Sequence, residues 1–129
     1  MGQNKIVLCD TDVIIEFYRN NPDIIAELKN IGQENIAVST ITAGELIYGA
    51  FNKKELNQIK KDLKKLTVID IDKKTCDTFL DIMSKYVLSH KLALPDGFIA
   101  ATAIANDIEL YTLNIKDYKF IDGLRLFKK

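Results

Sequence analysis

Four acids sit where acids are uncommon. Asp10 closes the apolar run Ile6-Val7-Leu8-Cys9 and is followed by Thr11-Asp12. Glu45 lies among small and apolar residues in Thr40-Ile41-Thr42-Ala43-Gly44-Glu45-Leu46-Ile47-Tyr48, which predicts a largely buried helix face. Asp96 is the only charge between Lys91 and Asp107, and Asp117 follows a strand-like stretch through Asn114-Ile115-Lys116. A carboxylate taken out of water is costly unless something compensates it. Singly, each has an ordinary explanation. Asp96 complements a helix dipole, Asp117 serves a turn, and Glu45 pairs with a buried lysine. The four together, each at a strand end or on an apolar helix, weigh against coincidence.

Carboxylates packed together repel one another and hold protons at neutral pH. A divalent cation removes that penalty. Oxygen-only ligands favour Mg²⁺ or Mn²⁺, with water and a substrate phosphate completing the shell. An ion held this way polarises a phosphodiester and acidifies the attacking water, and a second ion would stabilise the leaving oxygen. That chemistry needs no nucleophilic serine and no histidine base. The chain has one histidine, His90, which excludes a His-rich zinc site.

Positioning these acids requires several elements. Residues 5–9 read as a buried strand running into a helix that begins near Asp12. Asn21-Pro22-Asp23 starts a second helix, and Gly32 ends it. Further strands are predicted at 35–39, 67–71, 108–113 and 124–127. Helices are predicted at 41–51, at 53–66 with a lysine-rich outer side, from Asp72 onward, and from Pro95 to about Asn106. The long helix after Asp72 is expected to bury Cys76, Phe79, Leu80, Met83, Tyr86 and Val87. Helices between most strands predict a three-layer α/β/α fold with a mainly parallel central sheet. Asp10 would then lie outside the carboxyl end of a strand, where open α/β sheets bind ligands.

The composition is that of one folded domain, 1–129. In 129 residues, 47% are apolar and 28% charged, which is too apolar for disorder. Eighteen basic and eighteen acidic residues balance, so net charge does not point to a nucleic-acid partner. Cys9 and Cys76 fall in apolar patterns, which predicts buried free thiols in a reducing cytoplasm. No signal peptide or membrane-length apolar run is seen.

At this point the sequence resembles a PIN domain, specifically the small toxin ribonucleases of the VapC type. Leu8-Cys9-Asp10-Thr11-Asp12-Val13-Ile14-Ile15 resembles the opening Asp-Thr-Asn motif. Ser39-Thr40-Ile41-Thr42-Ala43-Gly44-Glu45-Leu46 resembles the second, acid-bearing helix start, and Leu94-Pro95-Asp96-Gly97-Phe98-Ile99-Ala100-Ala101 the third. Thr112-Leu113-Asn114-Ile115-Lys116-Asp117-Tyr118, followed by Ile121-Asp122-Gly123-Leu124, resembles the closing segment. The resemblance implies a metal-dependent endoribonuclease that cuts single-stranded RNA, a small antitoxin that blocks it, and a homodimer. By position it makes Asp10, Glu45, Asp96 and Asp117 the catalytic and metal-binding quartet. Glu45 is either a ligand or the group that orients the attacking water. Thr11, Asp12, Thr112 and Asn114 would support the quartet. Asp12 departs from the usual Asn or Ser, and either adds charge to the site or points away as a helix cap. Tyr118 replaces a frequent Phe, a change that puts nothing in doubt.

Arg19, Lys116 and Lys119 lie near the site loops and are candidates for touching RNA phosphates. Their ordinary role is surface solubility. Two rival readings remain. One is a non-catalytic binding module on the same fold. The other is a haloacid-dehalogenase-type phosphatase with Asp10 as nucleophile and Asp12 as general acid, although that family expects Thr or Ser where Ile14 stands.

Overall fold

The computed structural model describes residues 5–128. Strand β1 (Val7–Cys9) leads into α1 (Thr11–Tyr18) and α2 (Pro22–Ile31), and a short 3-10 turn (Gln33–Asn35) precedes β2 (Ile36–Ser39). Next come α3 (Thr40–Tyr48), α4 (Lys53–Leu63), β3 (Thr67–Ile69), α5 (Lys73–His90), α6 (Leu94–Ala105), β4 (Glu109–Tyr111) and a 3-10 turn at Ile115–Asp117. Local chemistry sets several starts. Asn21 accepts from the Asp23 and Ile24 amides with Pro22 in the first turn, Ser39 accepts from Thr42 N–H, and Asp72 accepts from Thr75 N–H. Gly32 ends α2 with φ +91°, a backbone conformation that costs glycine nothing.

The four strands form one parallel sheet in the order β3-β2-β1-β4. Successive β1 side chains point to opposite faces. Val7 and Cys9 join Val13, Ile24, Leu46 and Ile59 from α1–α4. Leu8 joins Phe79, Ile82, Ile99 and Ala100 from α5 and α6. Helices therefore cover both faces, as expected. The chain winds from β1 out to β3, then returns to place β4 on β1's other side. That reversal opens a crevice at the carboxyl ends of β1 and β4.

Three expectations change. Residues 124–127 form only a bridge, Leu110 to Leu126, held by Leu110 N–H to Arg125 O at 2.9 Å and Phe127 N–H to Leu110 O at 2.8 Å. Strand β4 stops at Tyr111 because the Leu113 amide donates to Asp12 Oδ2 at 3.1 Å. In α5 the buried stripe is Thr75, Phe79, Ile82 and Tyr86, a single 3.6-residue face. The wider set read from the sequence spans two faces, so Leu80 is 60% exposed, and Cys76 and Val87 are also exposed. Cys9 is buried, and burial pushes its thiol up to about 12, so it is inert near neutral pH.

Gly97 lets α6 approach α5 closely. A Cβ there would stand 2.6 Å from Met83 Sδ and 3.2 Å from Phe79 Cε1. Gly97→Ala adds helix propensity worth at most about 1 kcal/mol, against overpacking of about 1–3 kcal/mol. Net destabilisation is expected, read as a lower melting temperature.

Candidate active site

Asp10 follows the last residue of β1, and its amide donates to Tyr111 O at 2.9 Å, which ties it to the end of β4. Its extended backbone caps α1: Oδ1 accepts from Thr11 N–H at 2.8 Å. Oδ2 accepts from the Thr112 hydroxyl at 2.8 Å, just beyond β4. The residue is 5% exposed. Burial pushes its carboxyl above the usual range and Glu45's charge adds to this, while the Thr112, Thr11 and Tyr118 hydrogen bonds oppose it.

Glu45 projects from α3 and is exposed, not buried as its neighbours suggested. Only Thr42, Ala43 and Leu46 of α3 turn inward. Its Oε1 still accepts from the Thr11 hydroxyl at 2.6 Å. Thr11 and Thr42 hydroxyls lie 2.9 Å apart, so Thr42 can donate to Thr11 while Thr11 donates to Glu45. Asp96 sits in the first turn of α6 and its Oδ1 accepts from the Tyr118 phenol at 3.1 Å. Burial raises its pKa first, and the charges of Asp10, Asp117 and Glu45 raise it further. Asp117 ends the turn after β4, half-buried, near enough to act on Asp96. The four acids thus share one electrostatic neighbourhood.

Asp12 neither caps α1 nor sits free. Its Oδ2 accepts from Leu113 N–H at 3.1 Å and from Asn114 Nδ2 at 2.9 Å, clasping the loop after β4. Its Oδ1 is buried with no partner. Burial, then Asp10's charge, push this carboxyl up to about 6. Asn114 therefore reaches Asp12, while Thr11 and Thr112 reach the quartet directly. The clasp also leaves Asp12 poorly placed to act as the general acid of a phosphatase.

None of these five acids has a Lys or Arg ion-pair partner among the described residues. An all-oxygen, uncompensated donor set of this kind suits a hard divalent cation. Among the described residues, no three acidic, His or Cys side chains are already drawn together around a common ligating point. Several of the carboxylate oxygens are taken by hydroxyl, amide and phenol donors.

Of the basic candidates, Arg19 pairs with Glu16 at 3.0 Å and shares a groove with Glu45, Ile15 and Leu46. Lys116 lies in the turn that carries Asp117, and Lys119 follows it; both are exposed. Tyr118 and the Ser39–Thr42 hydroxyl pair were not legible as site residues. Tyr118 stands between Asp117 and Lys119 as the aromatic of the closing segment, and only its tertiary partner reveals the hydroxyl's use.

A parallel α/β/α sandwich with unpaired acids at its switch point defines an α/β protein with a polar ligand site. The chain belongs to the PIN domain family, which matches residues 7–121. It is 34% identical to Ribonuclease VapC2 of Rickettsia felis, over 94% of this chain and 96% of that one. It is 26% identical to the tRNA(fMet)-specific endonuclease VapC of Shigella flexneri, over 92% and 93% of the two chains. Among solved structures, it superposes with TM-score 0.85 on a chain of the DNA-bound VapBC complex from Salmonella typhimurium, at 25% identity over 95% and 97% of the chains. Among the described residues no helix is long and apolar enough to cross a membrane.

Proposed function

We propose that this chain is a metal-dependent endoribonuclease that cuts single-stranded RNA and serves as the toxin of a type II toxin–antitoxin pair. The observation that carries this reading is that Asp10, Glu45 and Asp117 all act by charge on Asp96 at the carboxyl edge of the sheet, and none of the four has a basic ion-pair partner among the described residues. Family membership and relatives named as VapC ribonucleases support it.

Asp10, Asp96 and Asp117 would hold Mg²⁺ or Mn²⁺, with Glu45 as a further ligand or as the group that orients water. When bound, the ion supplies Lewis-acid polarisation of the phosphodiester and a more acidic water. The chain's own residues do the rest. Thr11 N–H and Thr112 fix Asp10 from two sides. Thr11's hydroxyl aims Glu45, which sits at the solvent edge where an attacking water can reach it. Asp12 holds the loop leading to Asp117. Arg19, Lys116 and Lys119 would meet RNA phosphates from the rim.

The partners follow from the same reading. Solved toxin–antitoxin complexes are among its structural neighbours, which supports a small antitoxin as partner. The groove of Ile15, Arg19, Glu45 and Leu46 borders the acid cluster at Glu45, where a bound segment would cover that carboxylate. The outer face of α5, with Leu80, Val87 and Leu88 exposed, supports a second copy as dimer partner. Free Cys9 and Cys76 accord with action in the cytoplasm.

Purified protein incubated with unstructured RNA and Mn²⁺ should release internal fragments, and EDTA should stop the reaction. Cleavage that persists in EDTA and in Asp10→Asn would defeat the metal-dependent reading.

A further inference from the structure

We infer that Tyr118 is a positioning residue of the acid cluster: its phenol O–H orients Asp96 for the cation. This rests on the function proposed above. Tyr118 is 1% exposed, and its ring packs in the α5–α6 side of the core with Leu92, Ile99 and Ile121. Packing therefore fixes where its oxygen lies. That oxygen donates to Asp96 Oδ1 at 3.1 Å and stands close enough to Asp10 to stabilise that carboxylate as well.

Asp96 has no other side-chain donor among the described residues. Helix α6 opens on Ala93, which supplies no side-chain cap. Of Asp96's two oxygens, Oδ1 is held by Tyr118 and Oδ2 has no protein partner among the described residues. The arrangement fixes the carboxylate's direction and leaves one oxygen for a ligand. A buried phenol also needs a hydrogen-bond acceptor, which Asp96 supplies. The 3-10 turn that delivers Asp117 is immediately followed by Tyr118, so one turn brings a candidate ligand and the group that orients another.

Phenylalanine fills the same space without the hydroxyl. Hydrogen bonds from a supporting residue to a metal ligand typically govern affinity by tenfold or more. The test is Mn²⁺ binding by calorimetry to the full chain and to Tyr118→Phe, together with the Mn²⁺ dependence of RNA cleavage. The variant's Mn²⁺ dissociation constant is expected to rise about tenfold. The half-activating Mn²⁺ concentration should rise with it. Damage confined to folding would lower the fraction of chains that bind and leave the Mn²⁺ constant of the folded ones alone. A near-ultraviolet tyrosine difference spectrum should accompany Mn²⁺ binding in the natural chain and shrink in the variant. Unchanged or tighter Mn²⁺ binding by Tyr118→Phe would overturn the inference and leave the proposed function standing. Failure of the natural chain to bind Mn²⁺ at all would overturn both, starting with the function.

Discussion

Asp10→Asn is expected to lower RNA cleavage by about 10³-fold or more, since it removes a charge that the site presents to a cation. The fold should survive. Asn keeps the acceptor that meets Thr11 N–H, and its amide can donate to Thr112 Oγ1 once that hydroxyl rotates. Asp96→Asn should behave alike, because its Oδ1 still accepts from Tyr118. Either variant cleaving at a near-natural rate in Mg²⁺ or Mn²⁺ would remove that residue from the site. Circular dichroism and melting curves on the same samples separate lost chemistry from lost structure.

Mn²⁺ is expected to raise the melting temperature by about 10 °C at a hundredfold excess over its dissociation constant. Such an excess contributes about 2.7 kcal/mol, and a chain of this size gains about 3–5 °C per kcal/mol. The gain should vanish in EDTA and in Asp10→Asn. It should also depend on pH. The folded chain still protonates Asp12 up to about 6, whereas the unfolded chain loses that proton near the ordinary aspartate value. Asp10 and Asp96 are shifted in the same direction by burial. Their contribution to stability is therefore full at low pH and falls as pH rises through the raised values. Glu16, Asp72 and Asp122 are shifted down by their hydrogen bonds, so their contribution is complete above the ordinary carboxylate range and does not offset the decline. Metal-free protein should thus lose stability from about pH 4 to 7. The Mn²⁺ increment should grow across that window, because binding requires ionised carboxylates. Melting curves at several pH values, with and without Mn²⁺, check both trends.

The layer order and parallel sheet are legible because a βα rhythm leaves few ways to bury each apolar face. Asp10 is legible for a related reason: an acid ending an apolar strand must sit at a sheet edge and needs compensation. Side-chain surroundings are harder. Glu45 lies among small apolar neighbours yet points to solvent, because a one-sided helix leaves room for such residues on its outer face. On α5, Leu80 and Val87 read as core, although a single helical stripe admits only the Thr75–Phe79–Ile82–Tyr86 face. Tyr118 and Asp12 depend on contacts across 22 and 102 residues of chain, which no local pattern encodes. Their hydroxyl and carboxylate are defined only when the loop after β4 docks on α1 and α6.

Counting bound Mn²⁺ by electron paramagnetic resonance, in the natural chain and in Asp10→Asn and Asp96→Asn, tests the shared cation cradle most directly. The natural chain should take up Mn²⁺ and both variants should lose that uptake while keeping their helical spectrum. Equal uptake by all three, or none by the natural chain, would contradict a cradle built jointly from β1 and α6.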